Sequence, residues 1–123
     1  MTNRPAEIDW LEEAFDGALR VTARRMFGGW GVYGDGLFFA LIAADALWLK
    51  ADAISDAVWD AAGCERFTYH STKRDTTGSM NYRRVPDDAL DDAEAMRHWA
   101  GLALEAASRA GVSKRAGAKE SRK

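Results

Sequence analysis

The sequence predicts an α+β domain: an antiparallel β-meander sheet with helices packed on it, in the order α-β-β-β-β-α-β-β-α. Three observations predict it. Apolar residues recur at helical spacing near both ends and once in between, and at β-like spacing elsewhere. The links between the β-like runs are too short for parallel crossovers. The chain has 123 residues, 47% of them hydrophobic, with a formal net charge of −2, which suits one domain with its own core. A domain of this size buries roughly two-thirds of its unfolded surface, so it needs no disulfide or metal staple.

The elements follow in chain order. Ile8, Leu11, Phe15 and Leu19 share a helical stripe, which predicts a first helix over 6–18. Pro5 suits its first turn, and Glu7 and Asp9 favour the positive helix N-terminus. Residues 22–26 read as a strand, and residues 30–33 as a second after the Gly28-Gly29 break. Asp35-Gly36 is a strong hairpin signal, because both residues tolerate the positive φ of a tight turn. Residues 37–43 and 46–50 are the next two strands, joined at Ala44-Asp45. Helical spacing returns over 52–62, where Asp52 or Ser55 can cap the start and Gly63 suits the C′ position. A short strand over 65–70, a polar basic loop over 71–77 and a strand over 79–85 ended by Pro86 come next. Asp91 and Asp92 open a third helix with Met96, Trp99, Ala103, Ala106 and Ala110 along one stripe, and Gly111 is expected to stop it.

Residues 1–110 therefore form the expected domain. The tail, 111–123, holds five cations against one acid, a net charge of +4, which leaves −6 on the rest. It has almost no large apolar side chain and is expected to lack fixed structure. Composition excludes other classes. No run approaches the 18 or so apolar residues of a membrane span. Residues 1–10 carry no apolar signal region. The lone Cys64 cannot form an internal disulfide. The expected location is the cytoplasm.

The strand 37–43 shows no alternation. Strict pleating would put Leu37, Phe39 and Leu41 on one face and Phe38, Ala40 and Ile42 on the other, both apolar. One face should meet the helices. Either the chain covers the other itself, or a partner does, such as a second copy meeting a surface of Trp30, Phe39 and Trp48.

No chemical constellation stands out. Residues 29–34 match G-x-G-x-x-G, but a strand follows instead of the helix that a pyrophosphate needs. His70 and His98 have no second ligand at helical spacing, so no metal is expected. Cys64 reads as a packing residue; a nucleophilic role would need a base such as His70 within reach, with Tyr69 beside it. Asp87, Asp88, Asp91 and Asp92 suit loop solvation and helix capping. No catalytic residue and no cofactor is expected. The basic doublets Arg24-Arg25, Lys73-Arg74 and Arg83-Arg84, near Tyr69 and Tyr82, form a nucleic-acid hypothesis. On strands, only one member of each doublet can join a given patch.

Several stretches taken together resemble the N-terminal domain of the TfoX/Sxy family of competence regulators. They are Met26-Phe27-Gly28-Gly29-Trp30-Gly31-Val32-Tyr33, Leu47-Trp48-Leu49-Lys50, Phe67-Thr68-Tyr69, Ser79-Met80-Asn81-Tyr82, Val85-Pro86-Asp87-Asp88-Ala89-Leu90 and Trp99-Ala100. The likeness covers about residues 8–107, and the order of these elements makes it fairly specific. The resemblance implies an α+β fold and a bacterial cytoplasmic regulator of DNA uptake, a transcription coactivator and not an enzyme. It supplies no catalytic residues to carry over. The expected role is thus a regulatory or adaptor domain that contacts a protein partner in the transcription machinery, with a homodimer as one expected form. The alternative is direct, weak contact with nucleic acid through the basic residues and the tail. No contact with a membrane is expected.

Overall fold

A computed structural model describes residues 5–26, 28–43, 45–71 and 76–120, with side chains placed except at 70, 71, 76, 77, 79 and 112–120. The elements are α1 (Ala6–Ala14), β1 (Val21–Met26), β2 (Gly29–Gly34), β3 (Leu37–Ala43), β4 (Ala46–Lys50), α2 (Asp56–Ala61), β5 (Arg66–Ser71), β6 (Thr76–Arg84), a 3-10 turn (Asp87–Asp91) and α3 (Ala93–Glu120). This is the predicted α+β order. All neighbouring strands are antiparallel, in the spatial order β1-β2-β3-β4-β6-β5. The meander therefore covers the first four strands only. The chain then crosses over through α2 to the far edge, and β6 returns beside β4.

Local chemistry sets the boundaries. Asp35 and Gly36 take φ of 48° and 85°, as the two-residue hairpin between β2 and β3 requires. The Asp35 N–H donates to the Arg20 carbonyl and the Arg20 N–H donates to the Asp35 carboxylate, tying the turn to the start of β1. Helix α1 ends a turn earlier than its apolar stripe suggests, because Asp16 and Gly17 both adopt positive φ. The Arg97 guanidinium donates to the Ala14 carbonyl and caps that end. Before α2, the Ser55 N–H donates to the Asp52 carboxylate while the Asp52 N–H donates to the Ser55 hydroxyl. That reciprocal pair closes the turn at 53–55, and α2 begins only at Asp56 instead of 52, with Ser55 preceding it and making no side-chain bond to the helix itself. Gly63, at φ 72°, follows its end as expected. Strand β6 begins at Thr76, inside the stretch that reads as a loop. Helix α3 does not stop at Gly111 but runs to Glu120. One glycine costs a helix only about 1 kcal/mol, and the alanines, lysines and arginine around it are good helix formers.

Among the described residues, all three α-helices lie on one face of the sheet. Ile8 and Leu11 from α1, Trp59 from α2, and Met96, Ala100 and Ala103 from α3 share one buried cluster with Val32, Phe39, Ile42, Leu47 and Leu49. A smaller cluster of Leu41, Ala46, Trp48 and Tyr82 occupies the opposite, helix-free face.

A β-bulge decides how β3 divides between the two. The pairing steps from Val32↔Ala40 to Tyr33↔Phe38, leaving Phe39 as an extra residue. Phe39 and Ala40 therefore both point toward the helices, and Phe38 and Leu41 point away. The strict alternation expected from the sequence fails at this residue.

Candidate functional site

The helix-free face is built from alternate residues of six strands. Cross-strand partners share a face, so the register places Arg24 and Met26 of β1, Tyr33 of β2, Phe38 and Leu41 of β3, and Trp48 and Lys50 of β4 on it. Tyr82 and Arg84 of β6 face the same way. The aromatic rings touch in sequence across the face. Tyr33 stacks on Phe38 at 5.1 Å between centroids, and Phe38 lies 5.9 Å from Tyr82. Trp48 meets Phe67 edge-on at 5.1 Å, and Phe67 lies 6.5 Å from Tyr69. The Lys50 ammonium sits 5.1 Å above the Tyr82 ring. Burial, and secondarily Tyr33, push the Tyr82 phenol up to about 12, so it stays protonated at every physiological pH.

The second irregularity in the sheet shapes this face. Pairing between β5 and β6 steps from Arg66↔Arg83 to Phe67↔Met80, leaving Asn81 and Tyr82 opposite no β5 residue. Strand β4 pairs with β6 only at Tyr82, Arg83 and Arg84. Past the irregularity, β5 and β6 thus pair only with each other, as a two-stranded arm. The arm carries Phe67, Tyr69 and Met80 over the helix-free side. Between arm and sheet lies a cleft of about 410 Å³. Met26, Phe38, Leu41 and Ala43 line it from the sheet, and the three arm side chains line it from the other side. Trp30 and Ile42 complete the wall at the end of β2 and β3. Glycines permit the close approaches: a Cβ at Gly31 would collide with the end of Met26, and one at Gly78 with the Tyr69 ring. Tyr69 and Met80 remain 49% and 37% exposed. Ile54 and Val58, by α2, are the other large exposed apolar side chains among the described residues.

The residues expected to form a partner surface separate. Phe39 is fully buried under the helices, because the bulge turns it there, and it cannot meet a partner. Trp48 does lie on the helix-free face but is only 6% exposed. Its indole N–H donates to the Ala43 carbonyl, and Phe67 of the same chain covers it. Trp30 is half-buried against the helix-side core, with the Arg25 guanidinium 5.5 Å above its ring. The three do not form one surface.

The basic residues separate as well. Arg24 and Arg25 point to opposite faces. Arg84 is exposed on the helix-free face, 4.0 Å from Glu65. Arg83 corrects the expectation most sharply. It is 3% exposed and lies on the helix side, donating to Asp60 at 2.7 Å, Asp56 at 3.1 Å and the Cys64 carbonyl at 3.0 Å. It ties β6 to α2 and is not available to a phosphate. Lys73 and Arg74 lie outside the described residues, as does the His70 side chain.

The face holds no evident chemistry of its own. Burial pushes the Cys64 thiol up, with Arg83 partly opposing, so it is not an activated thiolate. No group of three or more potential metal ligands occurs among the described residues. The G-x-G-x-x-G stretch is the β2 strand itself and offers no helix N-terminus. No helix among the described residues is long and apolar enough to cross a membrane. The sequence reading missed Phe67 and Met80 as parts of the face. Their signal was present as alternation: Phe67 with Tyr69, and Met80 with Tyr82.

Comparison with known proteins bears on this fold. A family model described as the TfoX N-terminal domain matches residues 13–107. A curated relative, DNA transformation protein TfoX1 of Aliivibrio fischeri, is 32% identical over 85 residues. The match takes in 66% of this chain and 40% of the relative, so this chain spans well under two-thirds of the relative's length.

Proposed function

The chain belongs to the TfoX N-terminal domain family, and from that premise we propose that it is a non-catalytic regulatory domain linked to DNA uptake, acting in the bacterial cytoplasm by protein contact. The observation that carries the contact mechanism is the division of the sheet. Every helix packs on one face, while the other holds an aromatic cleft with Tyr69 and Met80 exposed beside it. Soluble domains rarely leave such a surface without use. The relative's name, DNA transformation protein, supports the regulatory reading. The partner proposed is a component of the transcription machinery, and self-association into a homodimer would use the same face. The test is deletion of the gene in its host, with competence-gene transcripts measured before and after complementation. Transcripts that fall on deletion and return with the intact gene are expected. Transcripts indifferent to both would overturn the reading.

A second reading, direct nucleic-acid contact, draws on one observation. Arg24, Lys50 and Arg84 are the charged residues that the register puts on the helix-free face, among its aromatics. Salt-sensitive binding of labelled duplex DNA that an Arg24→Gln/Arg84→Gln variant loses would favour it. Binding unchanged in that variant would remove the folded face from consideration.

A further inference from the structure

We propose that the cleft between the β5–β6 arm and the sheet is a small-molecule site, for a ligand with an apolar ring system and one anionic group. The inference stands on the cleft's own geometry and does not require the protein-contact reading.

Size and shape are the first argument. The cleft's volume of about 410 Å³ falls within the range typical of small-molecule pockets. It is a concavity between two walls, so a flat protein surface could not fill it. Its lining is the second. Phe38, Phe67 and Tyr69 offer ring faces and edges, and Leu41 and Ala43 complete an apolar wall. A polar group placed deep inside would find almost nothing to bond and would lose its water, so the body of the ligand must be apolar. Met26 and Met80 stand on opposite walls, and their unbranched side chains adapt to ligand shape.

The third argument is charge at the β1–β2 end. Met26 and Trp30 line the cleft there. Arg24 is two residues from Met26 on the same face, at the rim and not in the lining, whereas Arg25 lies over the Trp30 ring on the helix side. Among the described residues, no acidic side chain lines the cleft. A ligand anchored by its rings would thus present its polar end toward the Arg24 guanidinium, which favours an anion. The arm supplies the means of entry. It is a two-stranded ribbon held to β4 only through its base, and such ribbons are marginal alone. A ligand bridging Phe67 and Tyr69 to Phe38 and Leu41 would fasten it to the sheet.

Two dyes that differ by one sulfonate test this on the full chain: 1-anilinonaphthalene-8-sulfonate and the uncharged N-phenyl-1-naphthylamine. Fluorescence titration should saturate at one dye per chain for both. Ala43→Phe, which fills the cleft from β3, should abolish both signals. Met80→Lys, a charge placed on the exposed arm, should weaken the uncharged dye should the first variant not fold. An Arg24→Gln variant should weaken the sulfonate dye by about twofold to fivefold and leave the uncharged dye unchanged. Thermal unfolding of each variant reports whether it is folded. Dye binding that never saturates, that survives in the folded Ala43→Phe protein, or that is undiminished for the uncharged dye in the folded Met80→Lys protein, would overturn the site. Equal loss of both dyes in Arg24→Gln, or no loss of either, would overturn its preference for anions. Dye binding that disappears as the protein self-associates would show that a second copy, not a small molecule, fills the cleft.

Discussion

Arg83 offers a prediction whose sign is unusual, because its burial and its partners' burial differ so much. The guanidinium is 3% exposed, whereas the side chains of Asp56 and Asp60 are 26% and 66% exposed. Replacing both acids by Ala leaves a buried cation with only the Cys64 carbonyl and the Asn81 side chain as close acceptors. Orphaning a buried charge in this way costs about 3–5 kcal/mol. Replacing Arg83 by Met removes the charge-assisted bonds, about 2 kcal/mol in all, but returns the two carboxylates to water, where they need no partner. Removing the cation should therefore destabilise less than removing the anions. The triple variant should fall close to Arg83→Met alone, since Asp56 then keeps only the Asn81 amide and the half-exposed Arg66 at 3.7 Å, and Asp60 faces water. Urea unfolding at neutral pH measures all four proteins, and a domain of this size has about 5–15 kcal/mol to lose. If Arg83→Met proved the more damaging change, the ion pair would not be the reason that Arg83 is buried. If it left stability unchanged and abolished contact with DNA, Arg83 would be a surface ligand and the fold assigned here would be wrong at β6.

Other expectations follow from the same geometry. Phe39→Ala should cost about 3–5 kcal/mol in urea unfolding, as an emptied core site does, without changing the sedimentation of the folded protein. Gly36→Ala should cost about 1–2 kcal/mol, because alanine resists the φ of 85° that the hairpin imposes, and thermal unfolding would read it. The Asp52 carboxyl is held at about 2 instead of 3.8, chiefly by its hydrogen bond from the Arg109 side chain, with Ser55 assisting and burial opposing. A depressed folded-state value means that the unfolded chain takes up the proton first, so this stabilisation is complete above pH 3.8 and lost as the pH falls toward 2. Unfolding measured across that window should show a smaller acid-induced loss in Arg109→Gln than in the parent.

Much of the fold was legible because local signals and tertiary packing agree. The positive φ values at Asp35, Gly36 and Gly63 appear where Asp-Gly and a helix-ending glycine announce them. The order of elements follows directly from the switch between helical and β-like periodicity. What escaped the sequence depends on pairing between distant strands. A bulge at Phe39 needs β2 as its ruler, and nothing within residues 37–43 marks which aromatic will be the extra one. The position of β6 between β4 and β5 is likewise a non-local choice. Arg83 looks like its neighbour Arg84 in sequence, and only the register sends one beneath α2 and the other to solvent. The site was half legible for the same reason. Trp48 and the second apolar face were readable from β3 and β4, but the arm that covers them was not. Phe67, Tyr69 and Met80 reach Trp48 and Phe38 only because β5 and β6 leave the sheet past Tyr82.

The central claim is that the helix-free face, and not the helical side, is the working surface. Two double variants place the same charge on exposed apolar pairs of each side: Tyr69→Asp/Met80→Asp on the arm, and Ile54→Asp/Val58→Asp by α2. Each would replace the natural gene in its host, with folding checked by thermal unfolding and competence-gene transcripts as the readout. The account predicts that the arm variant fails to sustain transcription while the α2 variant matches the parent. A folded arm variant with full activity, or loss confined to the α2 variant, would contradict it.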